Sequence, residues 1–152
     1  MLNDTWTALT VSIKLFMMKK INQKAAKVFN NMIALMNGEQ HLKIDNTEGS
    51  FMPLSIEQLG SEMDLAGRKV IVYSLAHYYK QNGDLVPDPD MTFAVSQVDG
   101  MYIWAMTYQD YRSYQEGIYI DNGTWKLNKR IQNDHADFAG QWLINIKNQQ
   151  NL

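Results

Sequence analysis

The sequence predicts an α+β domain in two layers: an antiparallel meander sheet of about five or six strands, packed against one amphipathic helix near each end of the chain. Three observations predict it. Apolar residues recur at helical spacing over residues 19–36 and again over 131–147. Between those stretches the chain breaks into apolar or alternating runs rich in β-branched and aromatic residues. Three pairs, Asn82-Gly83, Asp99-Gly100 and Asn122-Gly123, punctuate the runs with residues that tolerate the positive φ of two-residue hairpin turns.

A chain of 152 residues, 45% apolar and with four Trp, eight Tyr and five Phe, supplies one domain with a real core. The expected organisation is a single domain over residues 18–147 and a frayed tail over 148–152. Residues 1–17 read either as an extension upstream of the MMKK at 17–20 or as an extra strand, since Leu9, Val11, Ile13 and Leu15 alternate with polar residues. The stretch TALTVSIKLFMM is too short and too interrupted for a spanning helix and lacks a basic lead-in, so neither membrane anchor nor signal peptide is expected. A net charge of −2 gives no overall basic field for capturing nucleic acid. The absence of cysteine excludes disulfides, thiolate zinc sites and Cys nucleophiles, and suits a cytoplasmic setting.

The first helix, 19–36, buries Ile21, Ala25, Val28, Phe29, Met32, Ile33 and Met36, and Asn37-Gly38 ends it. Its lysines, Lys19, Lys20, Lys24 and Lys27, read as a solvated face. Short strands follow at 41–44 and 51–59, separated by the turn-forming 45–50, with Pro53 marking an edge or irregular start. A polar interval, 60–68, precedes a long strand over 69–81. Further strands are expected at 91–98, 101–109, 114–120 and 124–127, before the closing helix places Phe138, Trp142 and Ile146 on one face.

The segment HYYKQNGDLVPDPDM, residues 77–91, admits two readings. As a structural hairpin, Asn82-Gly83 makes the reversal, Pro87 and Pro89 stop the returning strand from pairing, and the aspartates bond local amides. His77, on the side of Tyr73, Leu75 and Tyr79, is then a half-buried histidine with one backbone partner. As a reaction centre, Asp84, Asp88 and Asp90 would collect a hard cation beside His77 for a metal-assisted hydrolase or nuclease-like activity. The spacing is not an EF-hand, and no phosphate-binding glycine loop, His-Glu-x-x-His or Gly-x-Ser-x-Gly is present, so no catalytic residue, metal ligand or cofactor is assigned. Downstream, Tyr102, Trp104, Tyr108, Tyr111, Tyr114 and Tyr119 are read mainly as core, with the remainder available to stack a base or anchor a partner.

The run LAHYYKQNGDLVPDPDMTF, then MTYQDYRSYQEGIYIDNGTW, then FAGQWL in the last helix, resembles a family of uncharacterised small domains encoded by bacteriophages, plasmids and conjugative elements. The likeness covers residues 18–146 and leaves 1–16 outside. It implies an accessory protein of a mobile genetic element and carries over no catalytic residues. The expected function is a non-enzymatic binding module acting through His77, Tyr79, Gln81, Asp84, Asp88, Asp90, Tyr108, Tyr114, Gln115 and Glu116. Its expected partner is a host or mobile-element protein, a nucleotide or a single-stranded nucleic acid, with no membrane involved.

Overall fold

The computed structural model describes residues 13–152. Most of the alternation expected to form an N-terminal strand therefore lies outside the described residues; its last positions lead into a 3-10 turn, Leu15–Met17. Ile13 is nonetheless buried, packed with Met18 against the sheet.

Helix α1 spans Gln23–Leu35 and starts later than its apolar spacing suggests. Asn22 caps it by accepting from the Ala25 N–H. The residues before the cap are extended: Lys20 bridges to Trp104, and the Ile21 N–H donates to the Ile103 carbonyl. Ile21 thus fits the helical stripe by spacing while lying on strand-like backbone.

Six strands follow one another across a single antiparallel sheet: β1 (His41–Ile44), β2 (Leu54–Leu65), β3 (Arg68–Gln81), β4 (Asp84–Ser96), β5 (Ile103–Gln109) and β6 (Tyr114–Glu116). A separate two-stranded sheet pairs β7 (Ile118–Asp121) with β8 (Thr124–Leu127), and helix α2 (Lys129–Gln149) closes the chain. The α+β meander with a helix toward each end is as the sequence predicts.

Several boundaries differ, each for a local reason. The polar interval 60–68 is strand: β2 continues through a bulge between Leu59 and Met63 and turns at Ala66-Gly67, both at positive φ. Ala66 is an unusual occupant of that conformation, which is why the turn is not legible; Asp64 supports it by accepting from the Gly67 N–H. Asn82-Gly83 and Asn122-Gly123 do form positive-φ turns, but Asp99-Gly100 does not. There the Asp99 carboxylate accepts from the Met101 N–H and its carbonyl from the Tyr102 N–H, making a wider loop. The segment 148–152, expected to fray, contacts the rest of the fold through Gln150. Gln150, buried at the end of α2, accepts from the Asn46 N–H and donates to the Met52 carbonyl, while its own carbonyl accepts from the Asn46 amide.

Strand alternation separates two faces. On one, Leu54, Ile56, Tyr73, Leu75, Met91, Phe93 and Ile103 meet Phe29 and Met32 of α1 and Trp142, Leu143 and Ile146 of α2. On the other, Leu65, Val70, Val72, Ala94, Trp104 and Met106 lie under Ile13, Met18, Ile118 and Trp125. This second cover reaches only one end of the sheet.

The strand expected over 114–120 breaks at Gly117, because a side chain there would stand 2.8 Å from the Cα of Gln132. Gln132 is itself fully buried in α2: its amide accepts from the Lys19 N–H and donates to the carbonyls of Lys19 and Ala105. Gln132→Leu should strand those backbone groups and lower stability by about 1–3 kcal/mol in denaturant unfolding. Trp142→Ala, which empties the space between α2 and the sheet, should cost about 3–5 kcal/mol by the same measurement.

Candidate functional site

Beyond the pairs Ser55↔Ala76 and Asp90↔Gln109, neither β2 nor β5 accompanies the central hairpin. There β3 and β4 pair only with each other, through Tyr78↔Pro87, Tyr79↔Val86, Lys80↔Leu85 and Gln81↔Asp84. The result is a two-stranded arm. The prolines were expected to prevent this pairing, and they do not: a proline is accommodated in β4 where its nitrogen faces away from β3, and a bulge between Ala76 and Tyr78 absorbs the remaining mismatch. The Asp88-Pro89 bond is cis. Residues 80–85 are all exposed, Leu85 to 63%.

The ten residues singled out from the sequence do not share one surface. His77, Asp88, Tyr108 and Gln115 lie on the helix side of the sheet. His77 is buried, its Nδ1 3.0 Å from the Pro53 carbonyl and its ring edge-on to Trp142 at 5.5 Å. From Trp142 a run of rings follows α2: Phe138 stacks on it at 6.0 Å, Tyr108 meets Phe138 edge-on at 5.5 Å, and His135 stacks on Tyr108 at 5.7 Å. His135 Nε2 ends the run 3.2 Å from the Gln115 side-chain oxygen. The Tyr108 hydroxyl donates to Asp110, whose carboxylate also accepts from the Arg112 and Ser113 N–H groups; these bonds, the Arg112 amide foremost, hold its pKa below the ordinary value. Phe138 and His135 were missed as site candidates, although their spacing from Trp142 places all three on one helix face.

Asp90, Tyr114 and Glu116 lie on the opposite face, at the end left open by the second cover. Asp90 accepts from Ser74 at 2.9 Å and from the Tyr78 hydroxyl at 3.3 Å, and Tyr114 is 56% exposed. Burial, with Asp90 and Glu57 nearby, raises the Tyr78 pKa; burial and Glu116 raise that of Tyr114. Tyr79, Gln81 and Asp84 stand out along the arm. Of the six later aromatics only Trp104 is buried; Tyr102, Tyr111 and Tyr114 are exposed, so the expectation of mostly core does not hold.

The proposed reaction centre is therefore not assembled. Asp84 is at the tip, Asp90 faces away from His77, and only Asp88 is close enough to act on the imidazole electrostatically. Among the described residues no three His, Asp or Glu side chains are grouped to hold a metal ion, and no helix is long and apolar enough to cross a membrane.

The fold and this site define a class: an α+β domain that projects a hairpin arm from the middle of its antiparallel sheet. The chain belongs to the family described as Domain of unknown function (DUF6908), which matches residues 17–152. No curated protein and no solved structure matches it.

Burial lowers the pKa of both His77 and His135, outweighing the opposing pull of the Pro53 carbonyl and Asp88 on the first and of Asp134 on the second. Nδ1 of His135 is buried without a partner, so a proton there would have no acceptor. Both rings bind protons more readily in the unfolded chain, whose histidines titrate near 6.5. Stability should thus be full above about pH 6.5 and fall as the pH drops below it. Melting temperatures between pH 7.5 and 5 check this, and the decline should be shallower in His135→Gln.

Proposed function

We propose that this protein is a non-enzymatic binding module that docks a partner protein against the arm. The observation that supports this most directly is the pairing: the arm extends past both neighbouring strands and carries exposed Lys80, Gln81, Asp84 and Leu85 at its end. Its base is held by His77 on Pro53, by Asp90 on Ser74 and Tyr78, and by the ring packing along α2. An arm already ordered before docking loses little conformational entropy on binding. Prolines along β4 discourage pairing with a foreign strand, so recognition falls to side chains.

The resemblance of the AHYY and QNGDL segments to domains of bacteriophages, plasmids and conjugative elements supports an accessory role in a mobile genetic element, acting on a host or element protein. The cysteine-free composition suits a cytoplasmic encounter.

Gly83→Val should lower the melting temperature, since Gly83 sits at φ +86° with open space around it and the cost is purely conformational. Gln81→Ala and Asp84→Ala should leave melting nearly unchanged and reduce partner capture. A photocrosslinking residue placed at Leu85 in the producing cell should yield a discrete adduct that is lost in Gln81→Ala. Equal crosslinking from Leu85 and from Glu62, which lies beside Lys69 at the opposite end of β3, would remove the arm from consideration.

A further inference from the structure

At the opposite end of β3 from the arm, roughly 40 Å away along the strand, a cavity of about 350 Å³ opens between the 3-10 turn and the sheet. Its walls divide by chemistry. Phe16, Met18 and Trp104 supply an apolar side, and Lys20, Arg68 and Tyr102 a cationic, aromatic one. Lys20 Nζ lies 4.2 Å and the Arg68 guanidinium carbon 5.7 Å from the centre of the Tyr102 ring, which is set edge-on to Trp104 at 6.3 Å. The guanidinium is positioned by a 3.0 Å bond from Nη1 to the Ser96 hydroxyl, and that hydroxyl accepts from the Val98 and Asp99 N–H groups. Phe16 is 88% exposed at the rim.

We propose that this cavity binds a nucleoside phosphate, with the base against Phe16 and Tyr102 and the phosphate between Lys20 and Arg68. Two cations beside exposed aromatic rings match a ligand that is planar and apolar at one end and anionic at the other. The volume lies within the range of small-ligand pockets. The adjoining cavity, which shares Lys20 and Tyr102, is lined by Asp99 and is the less favourable position for an anion. Overall acidity is no obstacle, because both cations are local and neither depends on the net field.

Calorimetric titration of the full chain with the four ribonucleoside 5′-monophosphates, a nucleoside, inorganic phosphate and a short thymidine oligonucleotide tests this site. At least one monophosphate should bind about tenfold or more tightly than either the nucleoside or phosphate alone. Lys20→Gln and Arg68→Gln should each weaken it by a similar factor, and Tyr102→Leu should weaken the base-containing probes more than phosphate. Competition between monophosphate and oligonucleotide for one site supports the proposal, and the tighter of the two identifies a free nucleotide or a single strand as the source. No binding of any monophosphate at millimolar concentration overturns it. So does binding that survives Lys20→Gln, a change at an exposed position whose fold is verified by melting, or oligonucleotide binding indifferent to Tyr102→Leu.

Discussion

The buried amide of Gln132 is the interaction around which the rest is arranged. It is one polar group from α2 in an apolar interior, and it satisfies both backbone groups of Lys19 and one carbonyl of β5. That places the chain leading into α1 alongside Trp104 and Ile103, so both helices and the sheet are referred to one point. The same residue presses its Cα against Gly117, where the chain leaves one sheet and enters the other. Without that close approach β6 and β7 would be free to run on as one strand, and Ile118 would not reach the far face to join Trp104 and Met106. An alternative partner for the Lys19 backbone is hard to supply, because a buried donor or acceptor left unpaired costs more than an apolar replacement returns.

Much of the fold was legible because the signals were local. Both helices show their apolar stripes, and Asn82-Gly83 and Asn122-Gly123 are turns that two adjacent residues determine. What was not legible depended on residues distant in sequence. Ile21 is extended because Ile103 takes its N–H, not because of its neighbours. Gly117 breaks a strand because of Gln132. Gln150 is fixed by Asn46 and Met52, which no reading of a polar C-terminal segment supplies. Ala66 adopts a left-handed turn that its side chain disfavours, within a hairpin whose long pairing overrides the local preference.

The candidate site was half legible for a related reason. A period-two pattern assigns faces only while the register holds, and the bulge between Ala76 and Tyr78 changes the count on β4 relative to β3. Asp88 and Asp90, two apart and so expected on one face, therefore act on opposite sides: Asp88 toward His77 and Tyr108, Asp90 toward Ser74 and Tyr78. A constellation that looks catalytic in one dimension becomes two separate supports for the base of the arm. Phe138 escaped notice because it was read as part of the core, whereas 41% of it is exposed between Tyr108 and Trp142.

The broken outline of the sheet bears on self-association. β1 covers only the stretch of β2 from Leu54 to Glu57, and the uncovered remainder carries Gly60, the bulge, and Glu62 and Asp64 near Lys69. At the other border β6 is three residues long, and the arm is guarded by Pro87 and Pro89. Among the described residues, no border offers the long, straight, unpaired row of amides and carbonyls from which one copy templates the next. A sheet of this breadth, with exposed Tyr111, Tyr114 and Leu85 around it, would otherwise be prone to polymerise as its concentration rises. Interruption of the described borders leaves side chains, rather than free backbone, as what the sheet presents at its rim.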